Sequence, residues 1–252
     1  MENESITTLI FDLDGTLCSY GLNLEKSLSR TFDGELVAFS AEEYREEFGN
    51  QFDKAINDEV DRPDLSFRKR IFLEVLSGEA IDPAGKEVDE AEILRLGEKF
   101  KEIRENSLYL FPEVPEVLTA LKDDYQLGLL TNGPSDLQRS KIETLEIESW
   151  FEDIVVSGEH GTAKPDPEIF EIALERLDTD RNRSVYVGNS QRYDVAGANN
   201  AGLPVIWRRD ETEEEIAEAV PDAVIDDLTP LKNGLLTEKA TFKPKRGENN
   251  HA

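Results

Sequence analysis

Soft metal ligands are scarce in this sequence: one cysteine, Cys18, and two histidines among 252 residues. A single cysteine excludes a disulfide framework and any Cys-based zinc site. Two histidines exclude a His-rich metal cluster. No apolar run approaches 18 residues, which excludes a transmembrane helix. The opening Met1-Glu2-Asn3-Glu4 is acidic and leads straight into an apolar strand. It lacks the basic-then-apolar pattern of a signal peptide, so a cytoplasmic location is expected. Positive charge is also in short supply: 28 Lys and Arg against 55 Asp and Glu, a formal net charge of −27. A surface of that sign repels nucleic acid and anionic lipid, so neither is expected as a partner. The acids are spread along the chain rather than gathered in a tail. Twelve Phe, two Trp and clear apolar strands separate the chain from disordered acidic proteins. The composition reads as a folded protein adapted to high salt, where self-repulsion is screened over short distances.

What is present is a recurring alternation of strand and helix. Apolar runs at Thr8–Phe11, Leu127–Leu130, Ile154–Val156, Val185–Val187 and Pro204–Trp207, with a weaker sixth at Ala223–Ile225, suit strands buried on both faces. Helix-like stretches follow them. Ser135 with Gln138 predicts a capping box, Asp166 with Pro167 an N-cap and N1 pair, and Gly202 the end of a helix that begins near Gln191. The alternation predicts an α/β fold, a Rossmann-like parallel sheet with helices on both faces. Between the first two strands the pattern breaks for far longer than one crossover helix needs. Ser40 and Glu43 predict a capping box there. Tyr44, Phe48, Phe52, Ile56 and Val60 recur at every fourth residue, Phe67, Ile71, Val75 and Leu76 give a second apolar stripe, and Ile93, Leu96 and Phe100 a third. The expected organisation is a core domain of 1–17 and 109–231, a helical insert of 18–108, and a polar, flexible tail of 232–252 that carries Lys239, Lys243, Lys245 and Arg246.

Chemistry gathers at the strand ends. In an open parallel sheet, ligands bind beyond the carboxyl edge. The first strand runs into Asp12-Leu13-Asp14-Gly15-Thr16, and two carboxylates so close call for a cation or a shared proton. Mg²⁺ takes oxygen ligands and answers that need. The second strand ends in Thr131-Asn132-Gly133, whose hydroxyl, amide and bare backbone N–H suit a phosphate. Lys164 precedes a helix N-terminus, where a cation and a helix dipole can meet one anion. The fourth strand ends in Gly188-Asn189-Ser190, with Asp194 shortly after. Cys18 pairs with no His in sequence and reads as a small buried hydrophobe.

Four such signals, in order and each at the end of a successive strand, resemble the motifs of the haloacid dehalogenase superfamily. They read here as Asp12-Leu13-Asp14-Gly15-Thr16, Thr131-Asn132, Lys164-Pro165-Asp166-Pro167, and Gly188-Asn189-Ser190 to Asp194. The likeness extends to about residue 207, and the helical insert sits in the chain where that family's C1-type cap sits. The resemblance implies an enzyme that uses Mg²⁺ to hydrolyse a small organic phosphomonoester. Asp12 would attack phosphorus and form an aspartyl-phosphate, and Asp14 would act as general acid and then general base. Thr131, Asn132, Gly133 and Lys164 would bind the phosphate. Asp12, Asp14, Asn189 and Asp194 would be the metal ligands. Such a cap would cover the strand ends, and relatives occur as monomers or homodimers. One position departs from the family's phosphatases, which usually carry Asp where this chain has Asn189. That departure leaves open a metal-independent 2-haloacid dehalogenase, although dehalogenases lack the second Asp of the first motif. A HAD-fold binding protein with weak or no catalysis is the alternative of another class.

Overall fold

A computed structural model describes residues 5–35, 37–57, 59–77, 88–209, 216 and 219–237. Met1–Glu4 and the tail lysines and arginine singled out above lie outside the described residues. In chain order the elements are β1 (Thr8–Phe11), β2 (Cys18–Tyr20), α1 (Leu24–Thr31), α2 (Ala41–Ile56), α3 (Phe67–Leu76), α4 (Glu90–Asn106), β3 (Leu108–Leu110), α5 (Val114–Leu121), β4 (Gln126–Thr131) and α6 (Ser135–Thr144). There follow β5 (Asp153–Val156), α7 (Pro167–Arg176), β6 (Ser184–Gly188), α8 (Ala196–Asn200), β7 (Val205–Arg208), β8 (Ala223–Ile225) and α9 (Thr229–Lys232).

All six expected strands join one sheet in the order β5-β4-β1-β6-β7-β8, and every pairing is parallel. Strand β1 lies between β4 and β6, with Phe11 paired to Leu129 on one side and Val187 on the other. The chain fills one flank of β1 and then crosses to the other, so the end of β1 is the switch point at which ligands bind in such sheets. Strand β1 is buried throughout, as are β6 and all of β4 after its first residue. This is why these strands read as continuous apolar runs rather than alternating ones. Ile10, Leu130, Val155 and Tyr186 form one core with Ile169, Phe170 and Ala173 of α7 and Ala198 of α8.

Of the caps expected from the sequence, one does not form. Ser40 and Glu43 form the reciprocal box at the start of α2, and Asp166 caps α7 with Pro167 in its first turn. Ser135 does not cap α6. The N-cap is Pro134 and Ser135 is already helical, so no side-chain cap bond forms there. The chain enters α8 through a π turn at Gln191–Val195, and Gly202 follows that helix in the left-handed region.

Two compact units divide the chain: residues 1–19, 110–132 and 146–252 in the first, and 20–109 with 133–145 in the second. The second is helical. Its core gathers Leu28, Phe39, Tyr44, Phe67, Ile71, Phe72, Leu96 and Phe100, and Leu137 of α6 packs there too. The stripe on α2 is shorter than expected. Asn57 caps the helix, so Val60 lies beyond it. A strict four-residue repeat also drifts around a helix of 3.6 residues per turn, and Glu47 and Gln51 share the buried face with Tyr44. Lys232, the last residue of α9, pairs with Glu116, and Leu236 beyond the helix is buried.

Candidate functional site

The residues at the carboxyl edge of the first unit converge on one ammonium group. Lys164 Nζ lies 2.6 Å from Asp12 Oδ1 and 2.7 Å from Asp194 Oδ1. It also lies 2.9 Å from Tyr186 Oη and 3.4 Å from the Leu130 carbonyl. All four side chains are buried. Asn132 fixes the backbone of Lys164: its Nδ2 donates to the Lys164 carbonyl at 2.8 Å, and its Oδ1 accepts from the Lys164 N–H at 2.9 Å. A residue at the end of β4 thus aims a cation that arrives 32 positions later.

Asp12 continues the ladder of β1, its N–H donating to the Val187 carbonyl at 2.9 Å. Its second oxygen, Oδ2, accepts from Thr16 Oγ1 at 3.1 Å. The same hydroxyl lies 3.3 Å from Asn189 Oδ1. One hydroxyl carries one proton, so two oxygen acceptors share a single donor. Asp14 is half-buried in the turn that bridges to Cys18. Cys18 itself is buried against the Leu13 carbonyl.

Two glycines make these approaches sterically possible. Gly15 has φ +80°, and a Cβ there would stand 2.3 Å from Asn189 Nδ2. Gly188 lies under Asp194, where a Cβ would stand 2.4 Å from its Cγ. Strand β7 then holds both loops from behind. Trp207 Nε1 donates to the Asn189 carbonyl at 2.7 Å, and an Arg208 Nη donates to the Gly15 carbonyl at 2.8 Å.

Burial pushes Asp12 up to about 7; the Asp194 and Asp14 carboxylates add to the rise and Lys164 opposes it. Burial works against the charge on Lys164, yet Asp12 and Asp194 hold its pKa above the usual lysine value. Burial, reinforced by the same two carboxylates, keeps the Tyr186 hydroxyl protonated well above the ordinary range. The cluster is therefore an ammonium between two carboxylates with a phenol that donates to Asp194 at 2.9 Å.

Of the residues expected from the sequence, Asp12, Asn132, Lys164, Asn189 and Asp194 come together directly. Thr131 is buried at the end of β4, and Gly133 follows Asn132 along the chain. Asp194 faces inward: Oδ1 meets Lys164 and Tyr186, and Oδ2 accepts the Ser190 N–H at 2.8 Å. Among the described residues, no group of three or more His, Cys, Asp and Glu side chains is gathered to hold a metal. Any cation here would rely on oxygens that include Asn189 Oδ1 and a backbone carbonyl. The convergence of Asp12 Oδ2 and Asn189 Oδ1 on one hydroxyl fits a hard, oxygen-seeking ion. Tyr186 and Trp207 belong to this site too. As apolar strand residues they gave no sequence signal beyond burial, although a buried Tyr or Trp needs a partner for its polar atom.

Residues 9–208 match the family described as haloacid dehalogenase-like hydrolase, and the chain belongs to that family. It is 36% identical over 164 residues to a phosphoserine phosphatase from Thermus thermophilus, a stretch that is 64% of this chain and 62% of that protein. It is 38% identical over 128 residues to a glyceraldehyde 3-phosphate phosphatase from Methanothermobacter thermautotrophicus, 48% of this chain and 57% of that one. The matches thus span about six-tenths of these relatives' length. Among solved structures, it is similar to a 2-haloacid dehalogenase from Pseudomonas syringae pv. Tomato DC3000, with a TM-score of 0.66 and 26% identity over 92% of this chain and 99% of that one. Among the described residues no helix is long and apolar enough to cross a membrane.

Proposed function

We infer that this hydrolase uses Mg²⁺ to remove phosphate from a small organic phosphomonoester, through an aspartyl-phosphate on Asp12. The observation that carries the reading is the buried Asp12 carboxylate at the switch point, 2.6 Å from Lys164, with a second carboxylate two residues on. A carboxylate oxygen of Asp12 would attack phosphorus while the bond to the leaving alkoxide breaks. Asp14, protonated at that stage, would give its proton to the leaving oxygen. It would then take a proton from the water that attacks phosphorus and frees inorganic phosphate. Lys164, Thr131, Asn132 and Gly133 would hold the transferring oxygens, Asn132 by fixing Lys164. Asp12, the Asp14 carbonyl and Asn189 would hold Mg²⁺, with Asp194 close behind. When bound, the ion neutralises charge on the phosphate and carboxylates. The helical segment of residues 20–109, which lies between the first and second motifs, would be the family's cap. The relatives named as phosphatases support this reading of a small phosphate substrate.

The test is hydrolysis of p-nitrophenyl phosphate and of an alkyl phosphate in several-molar KCl, with Mg²⁺ and with EDTA. Turnover should require Mg²⁺. Asp14→Asn should lower kcat on the alkyl ester by about 10²–10⁴-fold, and by less in the first step for p-nitrophenolate, which leaves without help. A specific observation favours one rival. Asn189 stands where the family's phosphatases usually carry Asp, and the dehalogenase likeness spans nearly the whole chain. Halide release from a 2-haloacid in EDTA, with no phosphatase activity in Mg²⁺, would select that chemistry instead.

Adaptation to high salt is part of the same reading, because 27 net negative charges repel one another in dilute buffer. The unfolding midpoint should climb as KCl rises from millimolar to molar. A midpoint indifferent to KCl would remove this element of the proposal.

A further inference from the structure

The helical unit contains a cavity of about 260 Å³ lined by Tyr20, Tyr44, Phe48 and Phe100 together with Arg68 and Arg104. Arginines in an apolar pocket need an explanation, because buried charges are normally paired. Acids outnumber bases 55 to 28 in this chain. Several of the unit's other cations find them: Arg45 with Glu25, Lys54 with Asp61, Lys69 with Glu98, and Arg95 and Lys99 with Glu35, whereas the buried Arg70 donates to the Leu65 carbonyl. Arg68, next in sequence to a paired Lys69, is only 5% exposed. Among the described residues, no carboxylate lies within 4 Å of Arg68 or Arg104. Arg68 meets phenols instead: an Nη donates to Tyr20 Oη at 3.3 Å, and Tyr44 is its other hydroxyl neighbour. Arg104 stacks on the Tyr20 ring at 3.4 Å and donates to the Leu22 carbonyl at 2.7 Å. Burial depresses its pKa. Lys141 of α6 also lines the cavity.

We propose that this cavity is a binding site for a small organic anion with a flat, apolar body. The anionic head meets the Arg68 fork, and the body lies among Tyr20, Tyr44, Phe48 and Phe100. Arg104 braces Tyr20 and adds positive potential. Two features point to a ligand rather than to packing. The Arg68 guanidinium lines the cavity, and phenol oxygens leave most of its five N–H donors for another acceptor there. The walls, in contrast, are aromatic, as in sites that bury an organic body around a few polar groups. The proposal does not depend on the reaction assigned to the first unit, so either can fail without the other.

The probe is benzoate, titrated calorimetrically into the whole protein at constant ionic strength, with benzyl alcohol as the uncharged control. The wild type and Asp12→Asn should bind benzoate with the same Kd, and benzyl alcohol at least tenfold more weakly. Arg68→Met should bind benzoate at least tenfold more weakly, and Arg68→Lys should recover part of the loss. Without benzoate, the unfolding midpoint of Arg68→Met should equal or exceed that of the wild type, because a buried cation without a counter-charge is being removed. Absence of benzoate binding to the wild type would overturn the site, as would equal binding to Arg68→Met. So would loss of binding in Asp12→Asn, which would put the anion in the first unit. A lowered midpoint in Arg68→Met would also overturn it, showing that the charge serves the fold.

Discussion

Asp12→Asn should cut kcat for phosphate-ester hydrolysis by at least about 10⁴-fold, the scale seen when an enzyme loses a nucleophile. Asparagine keeps the shape of the side chain: its Oδ1 can still accept from Lys164, and its Nδ2, standing where Oδ2 was, can donate to the Thr16 hydroxyl, so the geometry around it should survive. What it loses is the anionic oxygen that would bond to phosphorus. The same substitution removes one carboxylate from a buried cluster that holds Asp12, Asp194 and Lys164, with Asp14 close by. Stability should therefore stay level or rise while activity disappears. Single-turnover hydrolysis together with a thermal melt checks both halves. Residual turnover within tenfold of the wild type would mean that Asp12 does not attack the substrate. A fall in both activity and melting temperature would mean that the carboxylate is structural.

Lys164→Met should destabilise the metal-free protein by about 3–5 kcal/mol, the usual consequence of removing one partner from a buried ionic set. Methionine fills much of the same volume, so packing contributes little to the loss. The cost comes from Asp12 and Asp194, which face each other across the missing ammonium with no counter-charge. Asp194→Asn in the same chain should recover a large part of it, giving a coupling energy that a double-mutant cycle reads directly. Mg²⁺ should also raise the midpoint of Lys164→Met more than that of the wild type. A wild-type midpoint in Lys164→Met would show that the cluster is not held by charge. Activity should be lost whatever the folding outcome, since no other side chain in the cluster is cationic.

Much of this arrangement can be read without coordinates, for physical reasons specific to each part. The six strands are legible because burial on both faces leaves uninterrupted apolar runs, and the residues just past four of them are polar where a strand would continue apolar. Ser40 and Asp166 are legible as caps because the bonds they make are local. Ser135 misled because a serine three residues before a glutamine fits a capping box whether it stands at the cap or one residue inside it, and Pro134 took the cap. What stayed hidden is non-local. Nothing near Tyr186 announces that its hydroxyl meets Lys164 and Asp194. Nothing in Trp207-Arg208 announces that they hold loops begun at Gly15 and Asn189. Nor does the spacing of α6 place Leu137 in the core of the helical unit.

The clasp from β7 bears on how this protein is born. Arg208 reaches back to the Gly15 carbonyl across 193 positions of chain. A ribosome has made Asp12 and Asp14 long before it makes the residue that fixes the loop between them and the sheet. Until β7 has emerged and zipped onto β6, the first loop lacks its donor and Asn189 lacks the indole that steadies its backbone. The geometry around Asp12 is thus among the last things the nascent chain acquires, and the proposed nucleophile stays unformed as a site while most of the polypeptide is still being synthesised.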